Sequence, residues 1–373
     1  MMARMRTGGS LDSRVGATRA TLVLALAVAA LALAGCSWRV ETPEPALPSP
    51  DARELARDAA ARAERDIVIA LEAAVADGPG AAWLLTYELE ASPAHLTALG
   101  GVYEPFPLES GAESPSPGAS AQAPGATDYV TATTLAAQGA LSKAVAEPDP
   151  TLALLFSSIA LAHSTALAVA DQLDAAAAFA ATHPDPSPSP SPAVNDEPTR
   201  FPVIAERTPP AAAGLPFTLT PPTTMTLSPE TVDAIIVEHD YASYVYDVIA
   251  ARSTGAARDD AIERGEMHAE RARLLVEAAG RDPRGPTYAI THASLVSEYA
   301  RAALAAQVEA GVAERYMEAF AEDVDSDATA GTEPEPSQRA WLLASAYDAL
   351  VASLLAYESA PEDLANFPGI RVS

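Results

Sequence analysis

Alanine-rich segments, broken at intervals by proline and glycine, constrain the fold of this chain more than any other feature. Alanine has the highest intrinsic helix propensity, and apolar residues recur in these segments at the spacing of one helix face. The breaks include Asp77-Gly78-Pro79 and Gly280. Apolar residues make up 49% of the chain, which is enough to bury a core. The sequence therefore predicts an all-α protein.

Four helices are predicted on each side of a proline-rich segment. They span 52–76, 81–99, 128–146 and 151–181 in the N-terminal half, and 229–253, 256–279, 291–322 and 337–358 in the C-terminal half. Ser228 is the expected N-cap of the fifth helix, and Gly280 is the expected cap at the end of the sixth. Amphipathic helices of this length close antiparallel four-helix bundles. We expect two such bundles, over 52–182 and 228–371, with the linker 183–227 between them.

Three segments lack helical periodicity and are expected outside the bundles. Residues 103–126 form a low-complexity loop, and the linker 183–227 contains a Ser-Pro repeat that favours an extended, semi-rigid and mostly exposed chain. Its apolar residues Phe201, Leu215 and Phe217 could dock onto a bundle. The acidic stretch 322–336 is expected to be a solvated loop between the last two helices.

The N-terminus has the pattern of a secretory signal. Residues 1–20 carry four arginines, and an uncharged apolar run follows from Thr21 to Gly35. The run is shorter than the roughly 20 residues that span a membrane, so it favours a signal peptide over 1–35. It ends in Leu33-Ala34-Gly35-Cys36, which resembles a bacterial lipobox. The alternative is an ordinary signal peptide, or a short anchor, followed by an incidental cysteine.

The lipobox resemblance implies cleavage between Gly35 and Cys36 and diacylation of the Cys36 sulfur. The acyl chains then hold the protein on the extracytoplasmic face of the cell membrane, and residues 36–51 serve as a tether. Alanine richness and a single lysine, Lys143, suggest a GC-rich genome, which with the lipobox suggests an actinobacterium.

Charge and cysteine content exclude several classes of function. The net charge is −27, and a surface this acidic repels nucleic acid. A single cysteine excludes a disulfide framework and a thiolate-built metal site. The sequence contains no Gly-rich phosphate loop and no nucleophile-elbow motif.

Ionisable residues that face inward in the C-terminal bundle are the candidates for chemistry. Helical projection places them on or beside the apolar stripes: Glu238, His239, His268, Glu309 and Asp348. Buried charges are costly, so these groups are expected to satisfy one another, water or a metal. By contrast, His95 and His163 are expected to be satisfied core or boundary histidines, and Tyr241, Tyr244 and Tyr246 are expected to serve packing.

Several C-terminal segments together resemble a known family. They are EHDYASYVYDVIAARS (238–253), the helix from His268 through RARLLVEAAG (271–280), Tyr288 after the proline loop, and NFPGI (366–370). They are similar to a ferritin-like domain family of unknown function found in actinobacterial lipoproteins. The similarity covers roughly 228–371, and HLTALGG (95–101) is similar to the region that precedes this domain.

A ferritin-like fold implies a four-helix bundle that, in metal-binding members, holds a carboxylate-bridged di-iron centre. That centre uses two lone glutamates, for which Glu238 and Glu309 are candidates, and two Glu-x-x-His pairs. The pairs are missing, because Gly265 lies three residues before His268 and the last helix offers only Asp348. We therefore expect no cofactor and a non-catalytic binding or scaffolding module with a possible partner in the cell envelope. The alternative is an oxidoreductase or metal-binding protein that holds iron or another divalent metal at those five inward residues.

Overall fold

The structure is a computed structural model that describes residues 50–77, 83–103, 128–182, 207–209, 217–331, 335–356 and 363–369, with only the backbone described for 175–182. Over these residues the chain is all-α, as predicted. The helices are α1 (Ala52–Asp77), α2 (Trp83–Ala98), α3 (Tyr129–Ala146), α4 (Pro150–Thr182), α5 (Pro229–Arg252), α6 (Ala256–Ala279), α7 (Glu298–Ala330) and α8 (Pro336–Leu355).

Several predicted features lie outside the described residues. They are the signal peptide, Cys36, most of the tether, the low-complexity loop after 103, and the linker residues Phe201 and Leu215. Contacts within the chain separate Met1–Asp51 from a compact unit that runs from Ala52 to Ser373. Every described helix belongs to this second unit.

Local capping explains where the C-terminal helices begin and end. The Ser228 hydroxyl accepts a hydrogen bond from the backbone N–H of Thr231 at 3.2 Å, and Pro229 takes the first helical position. Gly280 ends α6 in the left-handed conformation with φ of 67°. Both caps agree with the prediction from the sequence.

Each half arranges its four helices around an interior. In the N-terminal half, α1 packs against α2 and α3, and α4 packs against the same two helices, so the four close a ring. In the C-terminal half, α5 packs against α6 and α7, and α7 packs against α8. The remaining two neighbours, α6 and α8, are joined by side chains, because Arg264 and Arg271 on α6 donate hydrogen bonds to Asp348 on α8.

The two halves share one core. Helix α8 packs against α3 and α4 as well as α7, and Phe156 of α4 belongs to the same buried cluster as Trp341 of α8. Arg339 of α8 is fully buried and ties the halves together, because it donates to the Glu147 carbonyl at 2.7 Å and to Asp323 at 2.8 Å. The sequence left open whether the bundles touch, and the structure places them against each other.

Helix α7 differs from its prediction at both ends. It begins at Glu298, after a 3-10 turn over His292–Leu295, because the Ser297 hydroxyl accepts the backbone N–H of Ala300 at 3.0 Å. It continues to Ala330, so the first part of the acidic stretch is helical and not a solvated loop. Asp323 in this stretch is buried against Arg339, which offsets the acidic repulsion.

The described end of the linker is not the exposed chain that was expected. Leu227 is buried, and Phe217 and Met225 are partly buried against the core. Farther back, the backbone N–H of Arg207 donates to Asp348 at 3.1 Å. The described linker residues Thr208 and Phe217 also line a pocket with Arg264 of α6, so this part of the linker lies beside α6 and α8.

Helix α4 is the most apolar of the described helices. By length and composition its segment Pro150–Asp174 could cross a membrane, but 78% of the most apolar stretch is buried inside the protein. That burial is typical of the core helix of a globular bundle.

Candidate functional site

The structure brings four of the five predicted site residues into one buried cluster. His239 lies on α5, His268 on α6, Glu309 on α7 and Asp348 on α8, and all four side chains are fully buried. The cluster therefore forms where one inward position from each helix of the C-terminal half meets the others.

Two arginines that were not among the predicted site residues lie at the centre of this C-terminal cluster. Arg264 donates two hydrogen bonds of 2.6 Å to the Glu309 carboxylate and one of 3.1 Å to Asp348. Arg271 donates to the same Asp348 oxygen at 2.9 Å. Both arginines share the inner face of α6 with His268, since residues three and four apart lie on one side of a helix. Two cations thus neutralise two buried carboxylates, which is the condition for tolerating buried charge.

When both histidines of the C-terminal cluster are neutral, their hydrogen bonds allow one arrangement of protons. A carboxylate can only accept, so His268 donates from Nε2 to Glu309 at 3.1 Å, which leaves its Nδ1 as an acceptor. His239 then donates from Nδ1 to that atom at 2.8 Å, and its Nε2 accepts from the Tyr316 hydroxyl at 2.7 Å. Both histidines are neutral in this arrangement, and every ring nitrogen already has a partner.

Burial and charge keep the members of the C-terminal cluster in these states. Burial lowers the pKa of His239 well below its usual value, and the neighbouring His268 acts in the same direction. Burial also lowers the pKa of His268, although Glu309 opposes the shift. For the two carboxyl groups burial alone favours the neutral acid, but Arg264 and the other hydrogen-bonded and charged neighbours together outweigh burial and lower the pKa of Glu309 and of Asp348.

Glu238 does not join the cluster. Adjacent residues of a helix project about 100° apart, so Glu238 points away from the interior when His239 points into it. The Glu238 side chain lies in a separate groove of about 350 Å³ that Gly311 and Glu314 help to line, and it pairs with Arg315 at 3.7 Å. Burial raises the pKa of Glu238 despite the nearby Arg315. The prediction that placed Glu238 with the other four is corrected by this geometry.

The three predicted packing tyrosines divide between two places. Tyr241 and Tyr244 pack against Tyr288, with ring centroids 5.4 and 5.7 Å apart. Tyr246 is buried, stacks on His268 and donates its hydroxyl to Glu309 at 2.8 Å. Tyr246 is therefore a member of the C-terminal cluster as well as a packing residue.

A second buried cluster lies in the N-terminal half, where the sequence analysis expected only satisfied histidines. Glu64 of α1, Glu88 and His95 of α2, and His163 of α4 are each at most 1% exposed. His163 contacts Glu64 through Nε2 and Glu88 through Nδ1, both at 2.9 Å. His95 lies next to Glu64, with 3.5 Å between Nδ1 and the carboxylate. We call these four residues the N-terminal cluster.

The charges of the N-terminal cluster depend on one another. Burial opposes ionisation of Glu64, but the positive charge of His163 lowers the pKa of Glu64 to about 2. Burial also opposes protonation of His163, but Glu88 and Glu64 raise the pKa of His163 well above its usual value. Helical spacing contained a hint of this cluster, because Glu88 and His95 are seven residues apart and so share a face of α2. Glu64 carried no comparable indication.

Comparison of the chain with models of known protein families, with curated proteins and with solved structures finds no match. The ferritin-like resemblance and the lipobox stay predictions from the sequence.

Proposed function

We propose that this protein is a membrane-anchored lipoprotein of the cell envelope whose helical body is a non-catalytic binding or scaffolding module. The observation that carries the non-catalytic part is that Arg264 lies between Glu309 and Asp348 and that Arg271 also pairs with Asp348. A ferritin-like centre holds its metals between inward carboxylates, and here guanidinium groups contact the inward carboxylates. Cations at that place repel a metal ion, and the carboxylates already have their partners.

The C-terminal cluster is better suited to holding helices in register than to chemistry. Its hydrogen bonds join α5, α6, α7 and α8, and each charged group has a specific partner on another helix. A network of this kind fixes the rotation and sliding of each helix, because a shift of one turn leaves buried charges without partners. A rigid body of this kind supports a binding or scaffolding role.

The proposed attachment depends on Cys36 and the segment around it. The apolar run to Gly35, the single cysteine and the proline-containing tether are the pattern of a lipidated protein held away from the membrane surface. The acidic body supports this arrangement, since a chain of net charge −27 is repelled by anionic headgroups.

Replacement of the lipidated residue tests the proposed attachment. The Cys36→Ser variant is expected to move from the membrane fraction to the soluble fraction, whereas Ser37→Ala, which keeps the thiol, is expected to stay in the membrane. Mass spectrometry of the wild-type protein is expected to find two acyl chains on an N-terminal Cys36. Retention of Cys36→Ser in alkali-washed membranes contradicts the anchor. Crosslinking in intact cells, with the same variant as control, then identifies envelope partners that require attachment.

A further inference from the structure

The N-terminal cluster lacks the arginines that neutralise the C-terminal one. Among the described residues, the ion pairs of Glu64 and Glu88 are formed with histidines alone. Two fully buried carboxylates therefore depend on two imidazoles, which are only conditionally positive, for compensation. A single divalent cation supplies the same two charges without protonating either histidine.

The hydrogen bonds of the N-terminal cluster leave two facing atoms without a partner. His95 Nε2 lies 2.6 Å from the backbone carbonyl of Asn366, and a carbonyl can only accept, so this nitrogen carries a proton. In a neutral His95 the other nitrogen, Nδ1, is then a bare lone pair. It faces Glu64 Oε2 at 3.5 Å, and both atoms are buried without a hydrogen-bond partner. Two acceptors facing each other in the core repel, unless a cation lies between them.

The second nitrogen of each histidine is held as in a metal site. Histidine ligands of metals usually donate their other ring N–H to a carboxylate or a backbone carbonyl, which fixes the tautomer and the ring orientation. Here His163 Nδ1 lies 2.9 Å from Glu88, and His95 Nε2 lies 2.6 Å from the Asn366 carbonyl. His95 Nδ1 and His163 Nε2 are thereby both turned towards Glu64.

The distances suit one small ion. One ligand atom from each of Glu64, His95 and His163 can be chosen so that all three lie within 4.8 Å of one another. Donors about 2.1 Å from a tetrahedral ion are about 3.4 Å apart. The 3.5 Å from His95 Nδ1 to Glu64 Oε2 matches this spacing, and the 2.9 Å from His163 Nε2 to Glu64 Oε1 must widen by about 0.5 Å. The two histidines therefore face different oxygens of the same carboxylate, and both oxygens lie beside the proposed ion.

We propose that Glu64, His95 and His163 bind one divalent transition-metal ion, with zinc the best match. Two imidazoles and one carboxylate are a common zinc ligand set, which leaves a fourth position for water. The ion takes the place of the proton between His163 and Glu64. Glu88 acts as a positioning residue that holds the His163 ring.

The C-terminal segment 363–369 closes the proposed site. Its Asn366 carbonyl fixes His95, the Phe367 ring packs on His95 with centroids 5.1 Å apart, and the Ala365 carbonyl accepts from Tyr87 at 3.2 Å. Residues from the far end of the chain therefore complete a site in the N-terminal half. Zinc binding is expected to stabilise the docking of this segment as well as the N-terminal bundle.

Zinc chloride is the probe that tests the proposed site. The full chain is purified in detergent without a metal-affinity tag, stripped with a chelator, and equilibrated with zinc in excess magnesium, which occupies weak acidic surface sites. Elemental analysis is expected to find one zinc per chain. His95→Gln and His163→Gln are each expected to weaken binding by more than about 100-fold, and Glu88→Gln by about 10–100-fold. The matched control His268→Gln, a buried histidine of the C-terminal cluster, is expected to retain the zinc.

X-ray absorption of the zinc-loaded wild type gives an answer that does not depend on whether the variants fold. The expected first shell contains two imidazole nitrogens and oxygen. A shell of oxygen alone, a folded wild type that takes up no zinc, or zinc that survives His95→Gln and is lost in His268→Gln overturns the proposal. None of these outcomes bears on the Cys36 anchor, which is tested separately.

Discussion

Replacing Arg264 by methionine tests whether the C-terminal cluster holds the bundle together. The methionine keeps an unbranched apolar stem of similar reach and removes the charge. Arg264 is 7% exposed and makes two bonds to Glu309 and one to Asp348. Its loss leaves the Glu309 carboxylate buried without a permanent cation, and breaking a buried ion pair in this way costs about 3–5 kcal/mol of unfolding free energy.

The matched control for Arg264→Met lies on the same helix. Arg273 pairs with Glu270 and Glu277 but is 53% exposed, so Arg273→Met is expected to leave the unfolding free energy nearly unchanged. Urea unfolding followed by far-ultraviolet circular dichroism measures both values. Because Glu309→Gln removes the orphaned charge, it is expected to stabilise the Arg264→Met background and to destabilise the wild type. Equal losses for the two arginine variants, or additive losses for Arg264→Met and Glu309→Gln, would show that Arg264 does not stabilise the bundle through the Glu309 charge.

Two further predictions concern pH and backbone conformation. The pKa values of His239 and His268 are lower than the usual 6.5, so the unfolded chain binds protons first on acidification. Below about pH 6.5 the unfolding free energy is therefore expected to decrease as the pH falls, by up to about 2.7 kcal/mol per pH unit. The decrease is expected to be less steep in His239→Gln, and an unfolding free energy that stays constant between about pH 6.5 and 5 contradicts this prediction. Gly369 has φ of 79°, and an added Cβ lies 2.8 Å from the Met317 side chain, so Gly369→Ala is expected to cost about 2 kcal/mol in urea unfolding. Gly139→Ala, inside α3, is expected to stabilise the protein by up to about 1 kcal/mol. If both variants lose a similar amount of unfolding free energy, the positive φ of Gly369 is not the cause of its loss.

Local sequence rules predicted the helices well because helix formation depends on neighbouring residues. The predicted helix 256–279 coincides with α6, and the others differ by few residues except α7. The end of α7 could not be predicted, since its acidic residues are paired by a residue of the next helix, Arg339, which contacts Asp323 and Asp327. An acidic stretch whose composition predicts a solvated loop thus packs as a helix against Arg339 of α8.

The candidate site was predicted only in part, for a related reason. Helical projection put His239, His268, Glu309 and Asp348 on inner faces, and the structure confirms that placement. It did not select Arg264, because arginine is usually exposed and its presence at a buried position depends on two carboxylates from other helices.

Local sequence is sufficient to predict that the chain is helical, where most helices begin and end, which faces are apolar, and that the N-terminus has a secretory pattern. These properties follow from propensity, periodicity and capping, all of which act within about one or two turns. Long-range packing establishes three further features: the two halves share a core, arginines neutralise one buried cluster whereas histidines pair with the carboxylates of the other, and the Asn366 carbonyl holds His95. The partners in these pairs lie up to 271 residues apart. Their meeting depends on helix rotation and register, which are set by the packing of the whole core.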